Sequence, residues 1–456
     1  MTALNELDAH AQQALLRGGE VSAIELLDAH LAAVDARNGD VNAIVALDAD
    51  VGRRRAAAVD AALAAGDDPG RLAGLVTAHK ELTETADFPT TWGSPVFTGF
   101  RPRADSLIVE RMTAAGAVAI GKTNTPEFGA GSHSFNPVYG TTRNPYDPSR
   151  SAGGSSGGAA AALATHMVSI ADGSDYGGSL RNPAAWNGVI GFRPSLGVIP
   201  HVDPGNAYLR LGITGPMART VDDLTLLFGV LSRPDPRDPV NRGLDVPARV
   251  EPTDGPLRVA WSDDLGGLPI EDDVRSALRR FRTRLDDLGW TVVDAEPDFS
   301  GADECFETLR SWGMANGYVA DLGSRVSEVK ATIRDEIERG RALTQAQVAQ
   351  AFAHMHVLWR RAVTFFGDHD LLVGPVTQLS PFPADWEYPT EVAGVPMDRY
   401  ITWMRSVCRI TSLQLPALSL PAGFTDAGLP VGAQLVGGPH GDLALLRAAK
   451  SVEQAS

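Results

Sequence analysis

The stretch "SAGGSSGG", residues 151–158, places four glycines and three serines in eight positions and runs straight into "AAAALA". Tracts of this composition usually serve as flexible linkers. This one is hemmed in. Upstream stands "NPVYGTTRNPYDPSR", dense in turn formers, and downstream a run of small helix formers. A second glycine–serine cluster then follows in "DGSDYGGSLRNPAAWNG". Segments that must pack do not flank a free linker, so the two loops, joined by one helix and one strand, are expected to converge in space. A hydrolase acting through serine needs a nucleophile, a proton relay and backbone N–H groups aimed at a developing oxyanion. Glycines before a serine let successive N–H groups turn toward one point. "DYGGS" offers such a cradle at Tyr176, Gly177, Gly178 and Ser179.

A chain of 456 residues with 44% hydrophobic content can bury one or two large cores. A net charge of −16 argues against nucleic-acid partners and anionic membrane surfaces. Two cysteines, Cys305 and Cys408, form no C-x-x-C pair and no disulfide framework. The start "MTALNELDAHAQQ" lacks a signal-peptide pattern, and no apolar run approaches the roughly 18 residues of a membrane span. A soluble, cytoplasmic, globular protein is expected.

Helical periodicity opens the chain, where Ser22 and Glu25 form a capping box and Ile24, Leu27, Leu31 and Val34 share a face. "VNAIVALD" reads as a strand and residues 48–66 as a helix. From about residue 72, short apolar runs such as "LAGLVTAH", "GAVAIG", "HMVSIAD", "DLLVGPV" and "VGAQLVG" alternate with helical patterns at 104–115, 220–232, 270–289, 345–366 and 441–453. That alternation predicts an α/β fold, a mixed twisted sheet covered by helices on both faces, in a single domain over 1–456. Residues 233–256, rich in proline and charge, read as a long surface excursion.

No His–Asp constellation stands out among the ten scattered histidines. His354 and His356, two apart on a helix, point away from each other and do not make a metal pair. His79, beside Lys80, reads as a packed or supporting imidazole. "GAVAIGKT", 116–123, fits the letter of the P-loop pattern, but "AVAI" is itself strand-like and "TNTP" after Lys122 is a turn. Nucleotide binding is not expected.

The long segments "GGSSGGAAAALA" and "DGSDYGGSLRNPAAWNGVIGFRPS" resemble the signature of the amidase signature family of serine hydrolases. "LAGLVTAHKELTETADFPTTWGSPVF" is similar to that family's lysine segment, "AAGAVAIGKTNTPEFGAG" to the segment after it, and "LPALSLPAGFTDAGLPVGAQLVG" to its C-terminal strands. The similarity runs from about residue 20 to about 450. It implies a signature core at about 72–215 and a variable pocket region at about 300–410.

The resemblance implies a Lys–Ser–Ser triad. Ser179 matches the nucleophile, Ser155 the serine on a cis peptide bond, and Lys80 the base. Tyr176, Gly177, Gly178 and Ser179 match the oxyanion donors, with Ser156, Asp175 and Arg181 in support. Lysine acts as a base only when neutral, and burial lowers its pKa by disfavouring the ammonium. No metal or organic cofactor is implied. The chain departs from the usual family pattern at Glu81 and at Tyr176, whose ring is expected to rim the acyl pocket. Pocket walls are expected around Trp312, Met314 and Tyr318, and around Trp386, Tyr388, Met397 and Tyr400. Such walls suit apolar or aryl groups. The expected reaction is hydrolysis of amides, with anilides, esters or carbamates as candidate substrates, by a monomer or homodimer. The alternative is a glutaminase-type subunit of a tRNA-dependent amidotransferase.

Overall fold

In the computed structural model, which describes residues 2–202, 208, 211–317, 319–320 and 322–455, the opening capping box closes. Ser22 Oγ accepts the Glu25 N–H at 3.1 Å, and Glu25 Oε2 accepts the Ser22 N–H at 2.8 Å. The helix Ala23–Val41 starts there and ends at Asn42, whose positive φ of 51° halts it. The other helices read from periodicity form as Ala49–Ala65, Leu107–Ala114, Val221–Leu231, Asp272–Asp287, Gln345–Phe365 and Asp442–Gln454. Residues 233–256 carry no regular element, as their composition predicts. Two helices, Ala302–Asn316 and Ala331–Arg341, occupy a region that the sequence pattern leaves as an undefined pocket wall.

The strands are, in chain order, β1 (Ile44–Leu47), β2 (Val76–Lys80), β3 (Val118–Thr123), the short pair β4 (Phe135–Asn136) and β5 (Gly140–Thr141), β6 (Ala171–Asp175), β7 (Ile190–Arg193) and β8 (Ile213–Ala218). They continue as β9 (Arg258–Trp261), β10 (Thr291–Asp294), β11 (Leu371–Pro375), the short pair β12 (Glu391–Val392) and β13 (Val395–Pro396), β14 (Ala417–Phe424) and β15 (Pro430–Gly437). Eight form a mixed sheet ordered β10-β9-β11-β15-β14-β7-β8-β6, with helices on both sides. The fold is α/β. Three more strands form a separate sheet ordered β1-β3-β2.

The two sheets meet where it matters. Ser169 N–H donates to Val76 O at 2.8 Å, which draws the edge strand β6 alongside β2. β6 reads "ADGSD", and the expected strand "HMVSIAD" is shifted toward its polar end. Asp and Gly are poor strand formers, but the register with β8, from Ala171↔Met217 to Asp175↔Ile213, overrides that preference. The alanine-rich helix Gly157–Ala164 fills the space between the sheets with every side chain except that of Ala164 buried.

Gly158 shows how tight that seat is. A Cβ there would lie 2.3 Å from Asn124 N and 2.6 Å from Ala43 O, both backbone atoms. Gly158→Ala is expected to destabilise the protein by about 1–3 kcal/mol, the usual cost of overpacking. Urea unfolding measures this, and an unchanged midpoint would mean that the helix is not seated so closely.

Candidate active site

Lys80 ends β2 and is fully buried. Its Nζ reaches three hydroxyls: Ser155 Oγ at 2.7 Å, Ser156 Oγ at 2.8 Å and Ser174 Oγ at 3.0 Å. No carboxylate touches it among the described residues. Burial lowers its pKa from 10.5 to about 7, against the pull of Asp172 and Asp175, which favour the charged form. Ser155 and Ser156 come from the loop ahead of the buried helix, and Ser174 from the end of β6. The Gly154–Ser155 peptide is cis. Ser132 Oγ donates to Gly154 O at 2.6 Å and in turn accepts from Asn182 Nδ2 at 3.0 Å, so the first loop is tied to the helix that follows the second.

Ser179 stands in the turn between β6 and the helix Arg181–Asn187, and it shares one cavity with Ser155 and Ser174. Its carbonyl accepts the Ser156 N–H at 3.1 Å. Among the described residues the Lys80–Ser155 link is made, whereas no hydrogen bond joins the hydroxyls of Ser155 and Ser179. Gly178 has φ +97°, and a Cβ there would strike Val407 at 2.3 Å, so only glycine fits the turn. Its N–H, expected among the oxyanion donors, instead donates to Asp175 Oδ1 at 2.9 Å. The amides of Tyr176, Gly177 and Ser179 have no intramolecular acceptor among the described residues. The open donors are these three.

Asp175 is the anchor of the turn. Arg181 grips it through Nε and Nη2, both at 3.0 Å, and Arg193 Nη1 adds a contact at 3.4 Å. Burial disfavours its charge, but the two guanidiniums and the Gly178 amide outweigh burial and hold the carboxyl well below its usual range. Arg181 also reaches Gln434 Oε1 at 2.6 Å and Thr411 Oγ1 at 2.9 Å.

A buried His–Asp pair does exist. Asp172 Oδ1 lies 2.7 Å from His79 Nδ1, and Asp172 Oδ2 accepts from Lys80 N at 3.3 Å and Thr83 Oγ1 at 3.2 Å. It braces the backbone that carries Lys80 rather than lining the cavity. Asp172 and Ser174 both escaped the sequence reading. Their signal is the alternation in "ADGSD", which on an edge strand puts Asp172 and Ser174 on one face. Glu81 accepts from Thr91 N at 2.5 Å, Thr91 Oγ1 at 2.9 Å and Gly93 N at 3.1 Å, and so shapes the loop after β2. Burial raises its pKa.

The cavity encloses about 400 Å³. Trp312 and Met314 line it, as expected, and so does the ring of Tyr176. Trp386, Tyr388, Met397 and Tyr400 do not. Trp386 is 48% exposed, while Met397 and Tyr400 are packed into the core, because the chain leaves the cavity wall at the β12–β13 hairpin. Tyr318 lies outside the described residues. The wall they were expected to supply comes instead from Phe352 and Met355 on the helix Gln345–Phe365, and from Leu309, Arg310 and Phe128.

Within "GAVAIGKT", residues 118–123 are strand β3 throughout, and Lys122 is buried, bonded to Thr83 O, Thr85 Oγ1 and Thr90 Oγ1. No phosphate loop exists there. His354 Nε2 lies 2.9 Å from Ser300 O. Among the described residues, no group of three or more His, Cys, Asp or Glu is placed to hold a metal. No helix among them is long and apolar enough to cross a membrane.

A buried lysine among serine hydroxyls stands here beside a serine on a turn with open amides. Comparison with known proteins places the chain. The family described as Amidase matches residues 25–446, and the chain belongs to the amidase signature family of C–N hydrolases. It is 33% identical over 406 residues to an acylamidase of Rhodococcus erythropolis, covering 88% of this chain and 85% of that protein. It is also 33% identical over 474 residues to a Glutamyl-tRNA(Gln) amidotransferase subunit of Symbiobacterium thermophilum, covering 97% and 95%. A bacterial aryl acylamidase superposes with a TM-score of 0.91 at 25% identity, covering 99% of this chain and 96% of the other.

The buried amine has a cost that depends on pH. Unfolded, Lys80 holds its proton up to about 10.5, and folded only to about 7. Below pH 7 the fold must bury the charged form, and this penalty is relieved as pH rises from about 7 to 10.5. Lys80→Met removes the titration. The stability of Lys80→Met relative to the parent is therefore expected to be greatest at pH 6 and to decline steadily by pH 9. Thermal melts at matched ionic strength test this, and a pH-independent difference would place the folded pKa near its ordinary value.

Proposed function

We propose that the chain is a free-standing acylamidase in which Lys80, Ser155 and Ser179 form the catalytic relay. Neutral Lys80 takes the Ser155 proton as Ser155 takes that of Ser179, and Ser179 Oγ attacks the amide carbonyl. The oxyanion falls to the open amides of Tyr176, Gly177 and Ser179. Collapse breaks the C–N bond as the proton returns through Ser155 to the leaving nitrogen. Water then attacks the ester by the same relay and releases the acid and the free Ser179. A turn of Ser179 χ1 toward Ser155 completes the chain of hydroxyls. The single observation that carries this reading is Lys80 Nζ, buried, bonded to three serine hydroxyls and to no carboxylate among the described residues, and held near a pKa of 7. Ser156 and Ser174 position that amine, and Asp175 with Arg181 sets the turn.

The apolar and aromatic wall supports anilides and other aryl amides as substrates, with esters and carbamates as further candidates. The amidotransferase subunits are comparably similar in sequence, which makes glutamine the substrate to test against. One observation weighs against it. Glutamine brings an α-ammonium, and Asp175, the only acid among the described lining residues, is already held by two arginines. The purified chain is expected to release aniline from anilides and negligible ammonia from glutamine. The opposite pattern would favour the amidotransferase role.

Ser179→Ala is expected to fold normally and to lose at least about a thousandfold in kcat/KM, as removal of a covalent nucleophile does. A residual rate within tenfold of the parent would remove Ser179 from this role.

The kcat/KM profile should rise with pH through a group near 7, the same for anilides and esters, because the base must be neutral. Lys80→Ala is expected to harm anilides more than Ser155→Ala does, and both losses should shrink for activated esters, whose leaving groups need little protonation. A profile flat down to about pH 5 would place the base elsewhere.

A further inference from the structure

One cation in the cavity wall lacks the partner that its neighbours have. Arg310, on the helix Ala302–Asn316, is 8% exposed and forms part of the wall. Its Nε donates to Tyr400 Oη at 2.9 Å, and Nη2 donates to the same oxygen. Its guanidinium carbon lies 5.5 Å from the centre of the Tyr176 ring and 5.4 Å from that of Tyr400. Nη1 has no hydrogen bond among the described residues, and no carboxylate there pairs with the side chain.

The surrounding carboxylates are all engaged elsewhere. Glu336 holds Arg399 at 2.5 Å and Ser311 Oγ at 2.7 Å. Glu307 holds Arg399 and Arg405, and Asp303 holds Arg409 at 2.7 Å. The two phenols against Arg310 do not neutralise it, since burial pushes both tyrosines up to about 12. Two aromatic faces and one hydroxyl stabilise the guanidinium and Glu336 attracts it at longer range, but no carboxylate among the described residues is bonded to it. A buried arginine with a free edge is well suited to an anionic acceptor.

We infer that Arg310 is a specificity-determining residue, and that the cavity takes amides carrying a carboxylate, which docks on Nη1 beside the Tyr176 ring. The inference rests on the hydrolase reading of the same cavity and narrows it to anionic substrates without an accompanying ammonium. Tyr176 carries one of the open amides, so the docked carboxylate sits one aromatic ring from the reacting carbonyl. Either half of the substrate can present it: the acyl chain, as in succinanilate, or the amine, as in 4-acetamidobenzoate.

The test compares each anion with its methyl-ketone counterpart, 4-oxo-N-phenylpentanamide and 4-acetylacetanilide. In the parent enzyme at least one anion should exceed its ketone about tenfold or more in kcat/KM, mainly through KM, which is the scale of one charged hydrogen bond. The pair that shows the preference identifies the half that docks. Arg310→Met should bring that ratio to about one, and Arg310→Lys should retain part of it. A parent ratio at or below one for both pairs overturns the inference without any variant. So does a preference that survives Arg310→Met. Calorimetric binding of the same four compounds to Ser179→Ala separates this inference from the hydrolase reading. Tighter binding of the anion, lost in the Ser179→Ala/Arg310→Met double variant, upholds it even if no amide is turned over. Equal binding of anion and ketone there sinks it even if anilides are cleaved.

Discussion

The structure turns on a single buried amine. Burial alone would drive the Lys80 pKa far down, and the nearby carboxylates Asp172 and Asp175 would drive it up. Neither carboxylate is left free to bind the amine. Asp172 faces His79 and the Lys80 backbone, while Asp175 is gripped by Arg181 and Arg193. What remains for Nζ is a shell of hydroxyls, which can donate to a neutral amine or accept from a charged one. The balance near 7 needs all of these parts at once. It explains why two sheets must meet at β2 and β6, and why the helix between them is built of alanine and glycine.

Much of this was readable in the chain, and the reason is local. Capping at Ser22, periodicity over 270–289 and the glycine–serine loops each express their structure within a few residues. The serines and Lys80 stand in long motifs whose parts carry their own turn chemistry. The partners that tune them are another matter. Asp172 meets His79 across 93 positions, and Arg181 meets Gln434 across 253. No spacing rule reaches so far. β6 was misplaced by a few residues because its own composition opposes a strand and only β8 imposes one.

The cavity wall departs from what the sequence leads one to expect, for a physical reason. Hydrophobic residues at 386–400 are equally suited to a pocket or a core, and composition does not separate the two. The core claimed Met397 and Tyr400, and the helix Gln345–Phe365 supplied Phe352 and Met355 in their place. Tyr176 is the exception. Its position inside the loop that carries Ser179 fixes where its ring can go, so its place at the rim follows from the motif itself.

The reach of Arg181 has a consequence for how the protein is made. The turn that presents Ser179 is held by Asp175, and Asp175 by an arginine that also grips Val407 O, Thr411 and Gln434. Gln434 lies on β15, the last strand of the chain. During synthesis the N-terminal segments emerge and begin to fold first. The Ser179 turn, although complete in sequence by residue 179, must wait for almost the whole remainder of the chain before every partner of Arg181 is in place. Folding of the strands and assembly of the site are thus separate events in time. A nascent or C-terminally clipped chain carries Lys80, Ser155 and Ser179 but lacks the C-terminal partners that hold Arg181.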